Sequence, residues 1–187
     1  GFAVEPKVAE LGRPIRGEVA VDLETAYGIF RDSVGDLVRH GKGRGVRIGI
    51  ENNVVAPFNL RDGRNVFLLM ATAEEIERLA RDIASPNLGF LVDSGHLNVS
   101  AHTLGFDRDA FLERIGRWVV GWHLSDNDGT SDSNRPFGPE AWFLPWVKKI
   151  PGEMAVIEAY KLKPPVLDGC IAAVRDATGA LEPKNDA

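Results

Sequence analysis

Apolar residues along the chain recur with two alternating periods. Leu23, Ala26, Tyr27, Phe30, Val34, Leu37 and Val38 lie at helical spacing behind Asp22 and predict an N-capped helix with one apolar face. Gly41, Gly43 and Gly45 predict its end. The unbroken apolar run at 46–50 then predicts a buried strand. Thr72 and Glu75 have capping-box spacing before a second helix with Ile76, Leu79, Ala80 and Ile83, which Ser85-Pro86-Asn87 stops. Runs at 88–92, 118–122 and 154–157 predict three more strands. Asp107 predicts the cap of a third helix with Ala110, Phe111 and Ile115; a fourth is expected over 139–149 and a fifth over 165–177. Trp118 and Trp122 read as packing residues of one strand, and Trp142 and Trp146 as packing residues four apart on the fourth helix. Residues 1–18 read as a loop and the tail after Gly179 as frayed. The irregular stretch 52–70 exceeds the usual strand-to-helix length, and long loops of this kind are often functional.

Strict alternation of helices and continuous apolar strands predicts a parallel sheet covered by helices. An open doubly wound sheet would show a glycine-rich phosphate turn after an early strand, but the first strand runs into Glu51-Asn52-Asn53. A barrel instead places functional residues at several strand C-termini. Each run here ends on such a residue: Glu51, Asp93, His123 and Glu158. These ends are 42, 30 and 35 residues apart, against about 31 per unit in an eight-unit barrel. The expected fold is α/β, a TIM-type (β/α) barrel present as its C-terminal half, with four strands and five helices. On this reading residues 1–187 form a single domain whose N-terminal strands are missing, and a first residue that is not Met fits part of a longer protein.

Composition changes this picture little. Of 187 residues, 44% are hydrophobic and 26% charged, an ordinary globular balance. A net charge of -5 argues against a nucleic-acid partner. No apolar run reaches the roughly 18 residues of a membrane helix, and no signal peptide is visible. The single cysteine, Cys170, excludes an internal disulfide and suits a reducing, cytoplasmic setting; it reads as core.

Three carboxylates and one histidine make an oxygen-rich donor set that suits Mn, Mg, Co or Zn as a divalent metal. Asp93 alone reads equally well as the N-cap of a following helix, and His123 alone as a buried histidine. Glu51 and Glu158 are harder to explain as structure, because carboxylates are seldom buried without a partner. Four such residues at four successive strand ends favour a shared site. His96, three residues after Asp93, belongs to the same rim. His40 sits at a helix end, and His102 reads as a loop residue without a role.

The segments Ile48-Gly49-Ile50-Glu51-Asn52, Val92-Asp93-Ser94-Gly95-His96, His123-Leu124-Ser125-Asp126-Asn127-Asp128-Gly129 and Val156-Ile157-Glu158 resemble the xylose-isomerase-like barrel superfamily. That group includes sugar and sugar-phosphate isomerases and epimerases, inosose dehydratases and endonuclease IV. The resemblance covers most of 46–160 and implies a metal held by Glu51, Asp93, His123 and Glu158. It implies a sugar substrate contacted by His96, with Asn53, Asp132 and Arg135 as further candidates. Many members carry Asp-x-His in the seventh loop, where this chain has Asp132-Ser133-Asn134. Asn134 counts against a trinuclear endonuclease site. The implied reaction is isomerisation or epimerisation through an enediolate, with Glu51 and Glu158 as catalytic carboxylates; dehydration of a polyol ketone and cleavage of abasic DNA are the alternatives. A non-catalytic sugar-binding or regulatory barrel is the reading from another class, and the full set of four ligands counts against it. A small sugar is the expected partner and homo-oligomerisation is open.

Overall fold

The computed structural model describes residues 13–15 and 18–179. The readings for 1–12 and for the tail beyond Gly179 lie outside the described residues. Four strands, β1 (Ile48–Glu51), β2 (Leu88–Asp93), β3 (Val119–Leu124) and β4 (Met154–Ile157), form one sheet in sequential order, with every neighbouring pair parallel. The connections carry α1 (Leu23–Lys42) before β1, then α2 (Ala73–Ile83), α3 (Ser94–Leu104), α4 (Arg108–Ile115), α5 (Leu144–Lys149) and α6 (Pro164–Thr178). Sequential parallel strands with helical crossovers are the architecture of half an eight-stranded barrel.

Local chemistry sets the helix ends. Asp22 accepts a hydrogen bond from the Thr25 backbone N–H at 2.8 Å, and Asp107 does the same for Ala110 at 2.8 Å. Thr72 and Glu75 complete the expected capping box. The one helix beyond the five expected, α3, is the departure. The residues after Asp93 are helical immediately, with Asp93 as N-cap and His102 in the last turn rather than in a loop. Few apolar residues mark its periodicity, since serines, asparagine, histidines, threonine and glycine fill most of its length. The helix expected over 139–149 is shortened to Leu144–Lys149, so Trp142 precedes it and its edge meets Phe143. Residues 52–70 are irregular as expected, with a 3-10 turn at Pro57–Asn59.

The helix-facing side of the sheet is the core. Phe90, Val92, Trp122 and Leu124 are each no more than 1% exposed. The Trp122 indole N–H donates to the Ile150 carbonyl at 3.0 Å, so its polar atom is satisfied where the ring is buried. Cys170 is buried as expected and its Sγ–H donates to the Phe137 carbonyl.

The other side of the sheet is open. Met154 and Val156 on β4 are 54% and 39% exposed. Small residues, Gly49, Gly89 and Gly121, line this side. A Cβ on Gly89 would collide with Val120 at 2.1 Å, so glycine is what admits that side chain. Among the described residues no helix is long and apolar enough to cross a membrane.

Candidate metal centre

Strand register explains why four residues distant in sequence meet. Side chains alternate across a strand, and register partners share a face. Asp93 pairs with His123, so both point to the open side. Glu51 pairs with Leu91, two residues before Asp93, and therefore faces the same way. His123 pairs with Val156, two before Glu158. The Glu158 backbone N–H bonds to Leu124 at 2.9 Å and carries the alternation one residue past β4. One donor atom from each of Glu51, Asp93, His123 and Glu158 lies within 4.8 Å of the others.

His123 Nδ1 is 2.8 Å from Glu51 Oε1 and 2.7 Å from Glu158 Oε2. Yet this buried nitrogen makes no aligned hydrogen bond. Two carboxylates and an imidazole nitrogen thus crowd one point without satisfying each other, as donors to a shared cation would. Asp93 is 1% exposed. Burial pushes its carboxyl up to about 6; Asp132 and Glu51 add to that, while the charge and backbone N–H of His96 oppose it. A buried acid among acids, beside an unbonded imidazole nitrogen, fits a divalent cation held by oxygen and nitrogen.

Asp93 has two roles at once. Its Oδ1 accepts the His96 backbone N–H at 2.7 Å and caps α3, while Oδ2 lies 4.0 Å from the His96 ring. His96 Nδ1 is 2.9 Å from the Asn52 carbonyl, which can only accept, so Nδ1 carries a proton. Nε2 lies 3.3 Å from Asp132 Oδ2. Burial opposes a charge on this ring, but Asp132 and Asp93 outweigh it and push its pKa up to about 9. Asp132 Oδ1 and the Ser125 hydroxyl are buried without hydrogen-bond partners beside Gly95, where a Cβ would come within 2.5 Å of Ser125 Oγ.

The structure brings His96 and Asp132 beside the four-residue cluster. It engages Asn53 and Arg135 elsewhere. Asn53 Oδ1 accepts the Val54 N–H at 3.0 Å, and its carbonyl accepts the Ser100 hydroxyl. The Arg135 guanidinium donates to Asp128 at 2.9 Å, with both side chains about half exposed. Two residues escaped the sequence reading. Asn52 is buried beside Asp93, and alternation past Glu51 was the available signal: it turns residue 52 toward the helix layer, where a polar side chain needs partners. Tyr160, 61% exposed, bonds through its N–H to the Asn134 carbonyl. Its phenol is raised, first by partial burial and then by the charges of Glu158, Asp132, Asp93 and Glu51.

A family model described as the xylose isomerase-like TIM barrel matches residues 10–150. An uncharacterized protein of Methanocaldococcus jannaschii, MJ1311, is 28% identical over 155 residues, which are 80% of this chain and 45% of that protein. The fold is shared with a D-tagatose 3-epimerase-like protein: TM-score 0.58, 23% identity, 78% of this chain and 54% of that one. It is also shared with the 3-keto-D-glucoside 4-epimerase YcjR of E. coli: TM-score 0.57, 11% identity, 89% of this chain and 58% of that one. The chain thus spans about half the length of the relatives it matches.

Proposed function

The chain belongs to the xylose isomerase-like TIM barrel family, and from that premise we propose that it carries the metal centre of a sugar isomerase or epimerase. The observation behind this reading is the convergence of Glu51, Asp93, His123 and Glu158 around an unbonded imidazole nitrogen. Two proteins that share the fold are named as epimerases, which supports the substrate class.

Glu51, Asp93, His123 and Glu158 would hold Mn, Mg, Co or Zn. Such a cation, when bound, polarises a substrate carbonyl and acidifies the neighbouring C–H. Glu158 would remove that proton and, for inversion at that carbon, Glu51 would return one to the opposite face. Both glutamate side chains are about one-third exposed, so a substrate can reach them. His96, held at Nδ1 by the Asn52 carbonyl, would meet a substrate oxygen through Nε2 by exchanging its Asp132 partner, 3.3 Å away. The Asn134 amide donates to Asp132 and offers no ring nitrogen, which favours one metal over the trinuclear endonuclease arrangement. The rest of the pocket wall would come from further strands meeting the edges of β1 and β4, which have no other strand neighbour among the described residues.

The test needs no prior substrate. Full-length, metal-loaded protein is incubated with a panel of ketoses in D2O, and NMR follows deuterium entering the carbon beside the carbonyl. Wash-in that disappears with chelator and in Glu158→Gln is expected. No exchange with any ketose, or exchange indifferent to both treatments, overturns the reading.

A further inference from the structure

β1 ends at Glu51, but its pairing with β2 continues through one more residue. The Asn52 backbone N–H donates to the Leu91 carbonyl at 3.3 Å. Its side chain then takes over from the backbone. Oδ1 accepts the Asp93 N–H at 2.7 Å, and Nδ2 donates to the Asp93 carbonyl at 3.2 Å. One carboxamide thus satisfies both main-chain groups of Asp93, as a neighbouring strand residue would. Asn52 is 2% exposed, so water does not compete for these bonds. The Asn52 carbonyl meanwhile accepts from His96 Nδ1 at 2.9 Å.

We propose that Asn52 is the positioning residue of the metal centre, a clamp that fixes Asp93 and His96 against each other; this rests on the metal-centre reading above. Of the two residues it holds, Asp93 by its main chain and His96 by its ring, the first is a metal ligand and the second a substrate contact. The chemistry admits few substitutes. An aspartate has no donor for the Asp93 carbonyl and would bring a charge into a dry position. A leucine fills the space and leaves both Asp93 groups unbonded.

An asparagine that merely satisfied backbone would behave like Ser100. That hydroxyl is also buried and also ties this loop down, accepting from Val55 N–H at 2.9 Å and donating to the Asn53 carbonyl at 3.0 Å, but it touches none of the four ligands. Ser100→Ala is therefore the control.

Full-length wild type, Asn52→Asp, Asn52→Leu and Ser100→Ala are titrated with Co²⁺, and the visible d–d bands report affinity and coordination geometry. The two Asn52 variants should lose about 10- to 100-fold in Co²⁺ affinity, with shifted bands, while Ser100→Ala keeps the wild-type spectrum. Wild-type bands in the Asn52 variants, or an equal loss in Ser100→Ala, overturn the clamp and leave the metal reading standing. Absence of Co²⁺ bands in wild type overturns both. Should the Asn52 variants fail to fold, hydrogen exchange of the Asn52 side-chain amide in wild type decides. Slow exchange that slows further with Zn²⁺ supports the clamp, and exchange at the free rate overturns it.

Discussion

Asp93→Asn should stabilise the metal-free protein while abolishing metal binding. The Asn oxygen can still cap α3 by accepting the His96 N–H, so the fold keeps that bond. What is lost is a buried negative charge. Moving a carboxyl from 3.8 to about 6 corresponds to about 3 kcal/mol between its charged and neutral forms. The attraction of His96 is already inside that figure; the Asn amide N–H groups, placed in the same dry position, take back part of it, leaving a net gain of about 1–2 kcal/mol at pH 8. For a chain of this size that is a Tm rise of about 2–8 °C. The sign follows from linkage. The folded-state value lies above the unfolded one, so the folded chain binds this proton more tightly between about 4 and 6. Wild-type stability therefore falls as pH rises through that window, and the gap between variant and wild type opens over the same range. The assay is thermal denaturation in chelator from pH 4 to 8, repeated with Mn²⁺. Mn²⁺ should raise the Tm of wild type and leave the variant unmoved. A variant no more stable than wild type at pH 8, a gap independent of pH, or a retained Mn²⁺ shift would refute the reasoning.

Gly95→Ala pushes a methyl to within 2.5 Å of Ser125 Oγ; overpacking at such a site should cost about 1–3 kcal/mol by urea denaturation, and a cost near zero would mean the β3–α5 loop yields freely. Thr72→Ala removes the capping box of α2 and should cost about 1 kcal/mol, read from the same denaturation curves. The 187-residue chain alone should associate, because β1 and β4 have no further strand neighbours among the described residues and Val46, Met154 and Val156 are exposed beside them; a monodisperse monomer in sedimentation velocity would count against open edges.

The sheet was legible because its signal is crude and long. Each strand is an unbroken apolar run, and strand spacing alone separates a barrel unit from a hairpin. The helix α3 was not legible, and the reason is physical. Its outer turns are bonded to the β3–α5 loop through polar groups, Asn98 to Asn127 at 2.8 Å and Asn127 to the Gly95 carbonyl at 2.9 Å, rather than through an apolar stripe. Periodicity methods look for the stripe. The shortened α5 has the opposite cause: Pro145 lies in its first turn, and the residues before it form single three-residue turns, Ala141 N–H to Gly138 and Leu144 N–H to Ala141, and ring contacts rather than a continuous α-helix.

The four clustered residues were legible for a reason that also explains where reading stopped. Their placement depends on strand parity, which survives small errors in strand boundaries. β1 begins two residues later than expected, and Glu51 still faces Asp93 because its face is counted from the strand end. Loop side chains have no such rule. Nothing in the order Asp132-Ser133-Asn134-Arg135 says that Asp132 turns to His96 while Arg135 turns to Asp128. At Asp93 the two explanations weighed against each other, helix cap or site residue, were never alternatives. A carboxylate has two oxygens, and here Oδ1 holds the start of α3 while Oδ2, 4.0 Å from the His96 ring, does not. The same hydrogen bond that starts the helix thus fixes the direction of the remaining oxygen. A cap at a strand end is therefore compatible with a site residue, and here it leaves the second oxygen at the rim where a barrel of parallel strands places its sites.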